Sequence, residues 1–508
     1  MSRLSIAVLA LAASAPALTA QTTLTRTGGQ IGSTLRYDMQ GDPGEAYALF
    51  PSPSGGPTPV STFNPGDPRE LSVGLGNQTL WTLGILDGSG AASRTYNLPP
   101  EPALQGLVAY AQFITFTTKP ITVDDISNPT SFVFAQSGTS HLTVGEMTRD
   151  ASSATLTELA DGNVLVAGGS KTSQLGEPII NRNLAIFEAQ TQTFRSTINM
   201  IDQRVLHTAT RLDDGRVLLL GGSDDANVIQ ATGEIFDPVT ETVSAILPMG
   251  VARAGHTATL LEDGRVFVAG GTSQFDFADP FGALGAIHRS TAIYDPDTNT
   301  WASGPNLPRP RVLHAATRLA DGRVLIGGGI DVVTIIVPIP GFTSDCRAFD
   351  PVSGNLQNVA DFSGGRALHT QLLLSDGSVL LAGGTDGNLL SQVFTPLASC
   401  RRYRPGTNTW SNVGSMASAR ALGAELVQRG SSVFAIGGMS SIDLTTLSGT
   451  PVTDVETATL ESLTWSSAGS MQSARPASAS VAIEGGDRIL TIGSTTVGVD
   501  LTAEIFVP

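Results

Sequence analysis

Four Arg-x-x-His pairs carry the chemistry this sequence could offer: Arg204/His207, Arg253/His256, Arg311/His314 and Arg366/His369. Arg420 and Arg475 continue the series without a histidine. Guanidinium groups gathered at one place would attract a carboxylate or another anion. Imidazoles gathered there could hold a metal ion. The more economical reading is structural. A residue type that recurs in every repeat serves the repeat, here by bonding backbone carbonyls and joining neighbours. These ten residues form the candidate ligand-binding set, and no catalytic residue, metal or cofactor is assigned.

The elements that position them follow from a second recurrence. Asp161-Gly162, Asp214-Gly215, Asp263-Gly264, Asp321-Gly322 and Asp376-Gly377 each lead into an apolar run that ends in a glycine pair. The second glycines are Gly169, Gly222, Gly271, Gly329, Gly384 and Gly438, and a weaker copy ends at Gly493-Ser494. A repeat of roughly 50 residues rich in short strands predicts a propeller or a related array. In the third repeat the strands are predicted at 255–261, 265–269, 291–294 and 300–301. Asp263-Gly264 is expected to form a type I′ turn between the first two. Four antiparallel strands joined this way make one propeller blade. Strand parity then puts each Arg-x-x-His and the connection after strand two on one face, with the Asp-Gly turns on the other. If the first strands line a central channel, the ten candidate residues approach its axis near one mouth.

Arg253, His256, Asp263-Gly264, Gly270-Gly271, Tyr294-Asp295-Pro296 and Trp301 together resemble the kelch family. The signature returns in Phe236-Asp237-Pro238, Phe349-Asp350-Pro351 and Tyr403-Arg404-Pro405 with Trp410. The first, sixth and seventh repeats depart from it, with Ala154 for the histidine, Arg429-Gly430 for the turn and Gly493-Ser494 for the glycine pair. The last repeat stops after its third strand, and 141–147 aligns with fourth-strand segments elsewhere. That segment is expected to pair with 503–507 and close the ring. The resemblance also brings in copper-radical oxidases related to galactose oxidase, where a blade-opening histidine binds copper, and His256 or His314 is similar. That chemistry needs tyrosines on the metal, one bonded to a cysteine. Tyr294 and Tyr403 fall at third-strand positions away from the axis, so an oxidase is not expected. Cys346 and Cys400 hold equivalent places in adjacent blades, and packing is expected of them rather than a disulfide.

The predicted fold class is all-β: a seven-bladed kelch-type β-propeller over 141–508, preceded by a small β-sandwich-like domain over 21–135. Short strands are predicted in that domain at 33–39, 46–50, 70–75, 107–117 and 131–135. Residues 1–20 read as a secretory signal, with Arg3, a short apolar core and small residues up to Ala20. The mature chain is therefore expected to be secreted, extracellular or periplasmic, without membrane insertion. A net charge of −16, spread along the chain, argues against nucleic acid as a partner. The expected function is that of a binding module for a protein, a glycan or a cell-surface component at the long-loop face. Phe275, Phe277, Phe281, Ile335, Ile336 and Phe342 are the candidate partner-binding residues there. The alternative is a sugar-acting propeller enzyme, oxidase or lyase-like, whose catalytic set the sequence does not display.

Overall fold

Five apolar runs, Val164–Ala167, Val217–Leu220, Val266–Ala269, Val324–Gly327 and Val379–Ala382, are buried along their whole length. A strand covered on both faces needs no polar alternation, and each run is an inner strand of a four-stranded sheet. The structure, a computed structural model, describes all residues except 1–21, 77–78, 119–120, 148–150, 173–177, 275–285, 335–337, 389–392, 444–447, 476 and 494–502. The signal segment thus lies outside the described residues. The fold is all-β, with no α-helix among the described residues.

The third repeat shows how one blade is made. Thr257–Leu260, Val266–Ala269, Thr291–Asp295 and Thr300–Ser303 pair antiparallel in chain order. The first hairpin departs from the expected type I′ geometry. Gly264 has φ +82°, but Asp263 stays at negative φ. The Gly264 N–H donates to Leu261 O (3.2 Å) and the Leu261 N–H to Arg265 O (2.8 Å). This is a type I turn closed by a left-handed glycine, the three-residue hairpin. Asp263 suits its place because its carboxylate accepts the Arg265 N–H (3.2 Å) and pairs with the Arg265 guanidinium (2.6 Å).

Blades are held to one another by apolar side chains. Leu218 and Leu220 of one pack against Val266, Val268 and Tyr294 of the next. Phe267 stacks on Phe349 with ring centroids 4.0 Å apart. Each fully buried side chain of this size contributes about 1.5–3 kcal/mol. The innermost strands touch in the cyclic order Thr155–Glu158, Thr208–Arg211, Thr257–Leu260, Ala315–Arg318, Thr370–Leu373, Ala421–Arg429, Ala479–Ile483 and back to the first. One core cluster spans the seam, joining Val164, Val166 and Phe187 to Ile483, Leu490, Ile492 and Ile505. At that seam Thr139–Leu142 pairs antiparallel with Glu504–Val507, from Thr139 opposite Val507 to Leu142 opposite Glu504. The strand covers 139–142 rather than 141–147. Beyond Thr143 the chain leaves the sheet, and Met147 turns into the seam core.

The chain divides into two units, and the division is not the linear cut expected at 135. The larger unit takes 28–33 and 98–107 as well as 132–508. The smaller unit holds 34–97 and 108–131 with the described residues before 28. Its strands form a three-stranded sheet (Thr23–Gly28, Thr34–Gln40, Ala91–Asn97) and a five-stranded sheet built around Ala46–Ser52 and Val108–Thr118. Ala48, Phe50, Val60, Leu71, Val73, Ile114 and Val123 form a core there.

Candidate functional site

The six arginines do not form an open cationic ring. Every one is buried, with Arg204, Arg311, Arg420 and Arg475 at 0% exposure. Each guanidinium is used inside its own blade. Arg253 donates to Gly270 O (2.5 Å), Ser290 O (3.0 Å) and Ser290 Oγ (2.7 Å). Arg366 donates to Gly383 O (2.8 Å) and Ser399 O (3.0 Å). Arg204, Arg311, Arg420 and Arg475 reach Gly221, Gly328, Gly437 and Gly493 in the same way. Each arginine therefore fastens the start of its blade's first strand to the end of its second. A buried charge needs a partner, and four of the six have one: Glu234 for Arg204, Asp345 for Arg311, Glu456 for Arg420 and Glu504 for Arg475. Arg253 and Arg366 have none among the described residues, and burial pushes each down to about 10.

The arginine carbonyls face the other way. The Gly222, Gly271, Gly329 and Gly384 N–H groups donate to Arg253 O, Arg311 O, Arg366 O and Arg420 O of the following blade, each at 2.8 Å. This close approach explains the glycine pair. Gly271 has φ +91°, and a Cβ there would lie 2.9 Å from the His256 Cβ.

The histidines tie adjacent first strands together. His207 Nε2 lies 3.0 Å from Thr155 Oγ1, His256 Nε2 3.1 Å from Thr208 Oγ1, and His314 Nε2 3.0 Å from Thr257 Oγ1. His369 instead lies 3.4 Å from Gln371 Nε2 on its own strand, because Ala315 holds the place of the threonine. Burial, reinforced by the neighbouring arginine, pushes His207, His256 and His369 down to about 3, so these rings are neutral. Among the described residues no group of three or more histidine, cysteine or acidic side chains could hold a metal. The copper-radical set does not fit either. Tyr294 is opposite Val266, at the Asp-Gly end of the blade, and its hydroxyl donates to Asn299 Oδ1 (3.0 Å). Tyr403 does the same with Asn408. Cys346 and Cys400 are buried free thiols in separate blade cores.

Two features of the mouth were missed in the sequence. The first is a collar. The residue before each histidine place has left-handed φ: Ser153, Leu206, Gly255, Leu313, Leu368, Leu422 and Ala477. Their backbones bond from blade to blade, Gly255 N–H to Leu206 O (3.1 Å), Leu313 N–H to Gly255 O (3.0 Å) and Leu368 N–H to Leu313 O (3.0 Å). The signal was the leucine recurring between Arg and His. The second is a set of buried acids on third strands. Glu234 accepts the Ile201 N–H (2.6 Å), Glu456 the Ala417 N–H (2.6 Å) and Glu504 the Gln472 N–H (2.7 Å), besides their arginines.

The two ends of the blades differ. At one end lie short turns. At the other, where the mouth is, hairpins extend the second strand: Ser170–Thr172 with Pro178–Ile180, Ile330–Thr334 with Pro338–Phe342, Thr385–Asn388 with Val393–Pro396, and Ser432–Asp443 with Ser448–Pro451. Neighbouring hairpins touch, Pro338–Phe342 against Thr385–Asn388 and Val393–Pro396 against Ser432–Asp443. Phe342 is half-buried and meets Phe394 edge to face, with centroids 6.2 Å apart. It therefore joins two hairpins rather than standing free. Phe275, Phe277, Phe281, Ile335 and Ile336 lie outside the described residues.

Known proteins agree with this geometry. No family profile matches the chain. Kelch-like protein 36 of Rattus norvegicus is 26% identical over 159 residues, covering 31% of this chain and 24% of that protein. Alpha-scruin of Limulus polyphemus is 27% identical over 172 residues, 34% of this chain and 18% of its own. The match thus spans less than a quarter of either relative. A fungal alcohol oxidase of the AA5 family, solved in complex with copper, superposes with a TM-score of 0.57 at 15% identity, covering 73% of this chain and 77% of its own. The repeat signature, the sheet pattern and these likenesses define a kelch-type β-propeller. The chain has the kelch-type propeller fold and is similar to kelch-repeat proteins over about a third of its length.

Proposed function

We propose that this is an exported, seven-bladed kelch-type binding module that engages a protein partner through its hairpin face. The observation that carries the reading is the asymmetry of the disc. One end presents short turns, and the other presents a run of touching hairpins beside an apolar-collared mouth. Such a wall offers side chains from several blades to one partner. Val393, on a hairpin, is 54% exposed, while Val239 and Val352 are turn residues 90% and 96% exposed at the opposite end. Export rests on the pattern of 1–20. A glycan or a cell-surface component is the other ligand class the face would serve.

The test compares Val393→Asp with the double variant Val239→Asp/Val352→Asp. Each is used to capture cross-linked proteins from the extracellular fraction of its source, and each is read on a glycan array. The reading expects one defined protein retained by the double variant and lost with Val393→Asp. Loss with the double variant alone would overturn it, and array binding without a protein would move the ligand to a glycan.

A further inference from the structure

The channel holds a carboxylate that the ring does not use. Glu425 faces Ile436, one residue inside the glycine pair, as Thr257 faces Ala269. It thus occupies the place of the threonines that bind the next blade's histidine. The next blade has Ser478 at the histidine place, and the Ser478 hydroxyl donates instead to Gly423 O (3.4 Å). Glu425 is left with no hydrogen bond or ion pair to the described residues. It opens on a cavity of ≈ 340 Å³ lined also by Thr155, Thr208, Thr257, Ser480 and the rims of His207 and His256.

We propose that this cavity binds a primary ammonium group on an aliphatic stem, with Glu425 as the counter-charge. An ammonium has three donors and no acceptor. The wall offers a carboxylate and threonine hydroxyls that keep acceptor capacity after bonding histidine. It offers no competing cation, since the arginines are turned into their blades and His207 and His256 are neutral. The half-buried leucines of the collar, Leu206, Leu313, Leu368 and Leu422, would flank the stem. Other cations suit the cavity less well. The lining has no tryptophan, tyrosine or phenylalanine face for a quaternary ammonium. One carboxylate is too few for a hard divalent ion, which takes about six oxygens.

The charge of Glu425 is tunable. Burial pushes it up to about 7. The flanking inner strands, Thr370–Leu373 and Ala479–Ile483, carry no titratable residue. Its partner strand Ser432–Asp443 carries only Asp443, at the hairpin end. Its own strand, Ala421–Arg429, carries Arg429 at the far end, paired with Asp487, and Arg420 just before the strand is bonded to Glu456. Amine binding therefore strengthens as pH rises through about 7, and weakens again where the amine itself loses its proton, near about 10.

The test is calorimetry on the full chain with n-butylamine, n-butanol and Nα-acetyl-lysine amide. Saturable binding of butylamine is expected. Butanol should be at least about tenfold weaker, and Glu425→Gln should weaken the amine about tenfold or more. Lowering the pH from about 8 to about 6 should cost close to tenfold. Equal affinity for the lysine amide would assign the site to a lysyl side chain, and butylamine alone would assign it to a free amine; both uphold the site. No saturable amine binding, or the same affinity in Glu425→Gln, overturns it. Glu425→Thr, which restores the ring's own residue, repeats the test if the glutamine variant does not fold. Failure here leaves the hairpin reading standing, because that reading is tested at Val393.

Discussion

Replacing Arg253 by alanine tests whether the arginine series is structural. The change strands the buried Gly270 O and takes a donor from Ser290 O and Ser290 Oγ, although Ser290 O keeps the Gly270 N–H (3.3 Å). The stranded carbonyl costs about 1–3 kcal/mol and each of the other two lost bonds about 0.5–1.5 kcal/mol. The emptied volume adds about 2 kcal/mol or more. Against this, the wild-type charge has no carboxylate partner among the described residues. Burial pushes it down to about 10, a cost of about 3 kcal/mol that the variant regains. The net loss is about 1–5 kcal/mol. Arg420→Ala has no such relief. It leaves Glu456 buried at 3% exposure without its cation. Breaking a buried pair in that way costs about 3–5 kcal/mol before the carbonyls are counted. Thermal unfolding of both variants, followed by circular dichroism and tryptophan fluorescence, gives the comparison. At about 1 °C per kcal/mol for a chain this size, Arg253→Ala should melt about 1–5 °C lower, and Arg420→Ala lower still. Shifts under about 1 °C in both, or a larger drop for Arg253→Ala, would refute the account.

Three further outcomes follow from the same geometry. His207, His256 and His369 are neutral in the folded chain down to about 3 but protonate near 6.5 when unfolded. The unfolded state therefore takes up protons first, and stability present above about pH 7 is lost as pH falls toward 3, by about 2 kcal/mol per histidine at pH 5. His256→Gln should flatten the acid side of a melting-temperature profile, and an unchanged slope would count against the bridging role. Gly271→Ala places a Cβ 2.9 Å from the His256 Cβ at φ +91°, so it should destabilise by several kcal/mol, about 3 or more, in urea titration. Gly250, with nothing within 4 Å, is its control, and Gly250→Ala should change little. Cys346 and Cys400 are pushed up by burial to about 12 and about 11. Neither should react with a thiol reagent in the native protein, and both should react once it is denatured.

Much of the fold could be read because burial leaves a mark on residue type. Second strands are covered on both faces, so they appear as unbroken runs such as Val217–Leu220. In the smaller unit, Ala46–Ser52 and Val108–Thr118 were legible for the same reason. Thr82–Ile85 and Ala91–Asn97 were not, because the first is only four residues with Leu83 and Ile85 turned outward, and the second mixes alanine, serine and asparagine, which signal no strand. At the site, residue identity pointed correctly to recurrence but not to direction. Arg253 and His256 are close in sequence, yet one serves its own blade and the other the neighbouring blade. Glu425 went unnoticed because the inserted residue that bulges its strand between Ala421 and Ala424 moves it out of step with the threonines.

The seam strand has a consequence for biosynthesis. Thr139 finds its partner only when Val507 has left the ribosome, so the circle cannot be completed while most of the chain is being made. Until then the nascent disc has two raw edges, each able to zip onto another chain. Bringing the two ends together across a loop of this length costs about 5 kcal/mol of chain entropy. The hydrophobic seam must outweigh that cost in one late step.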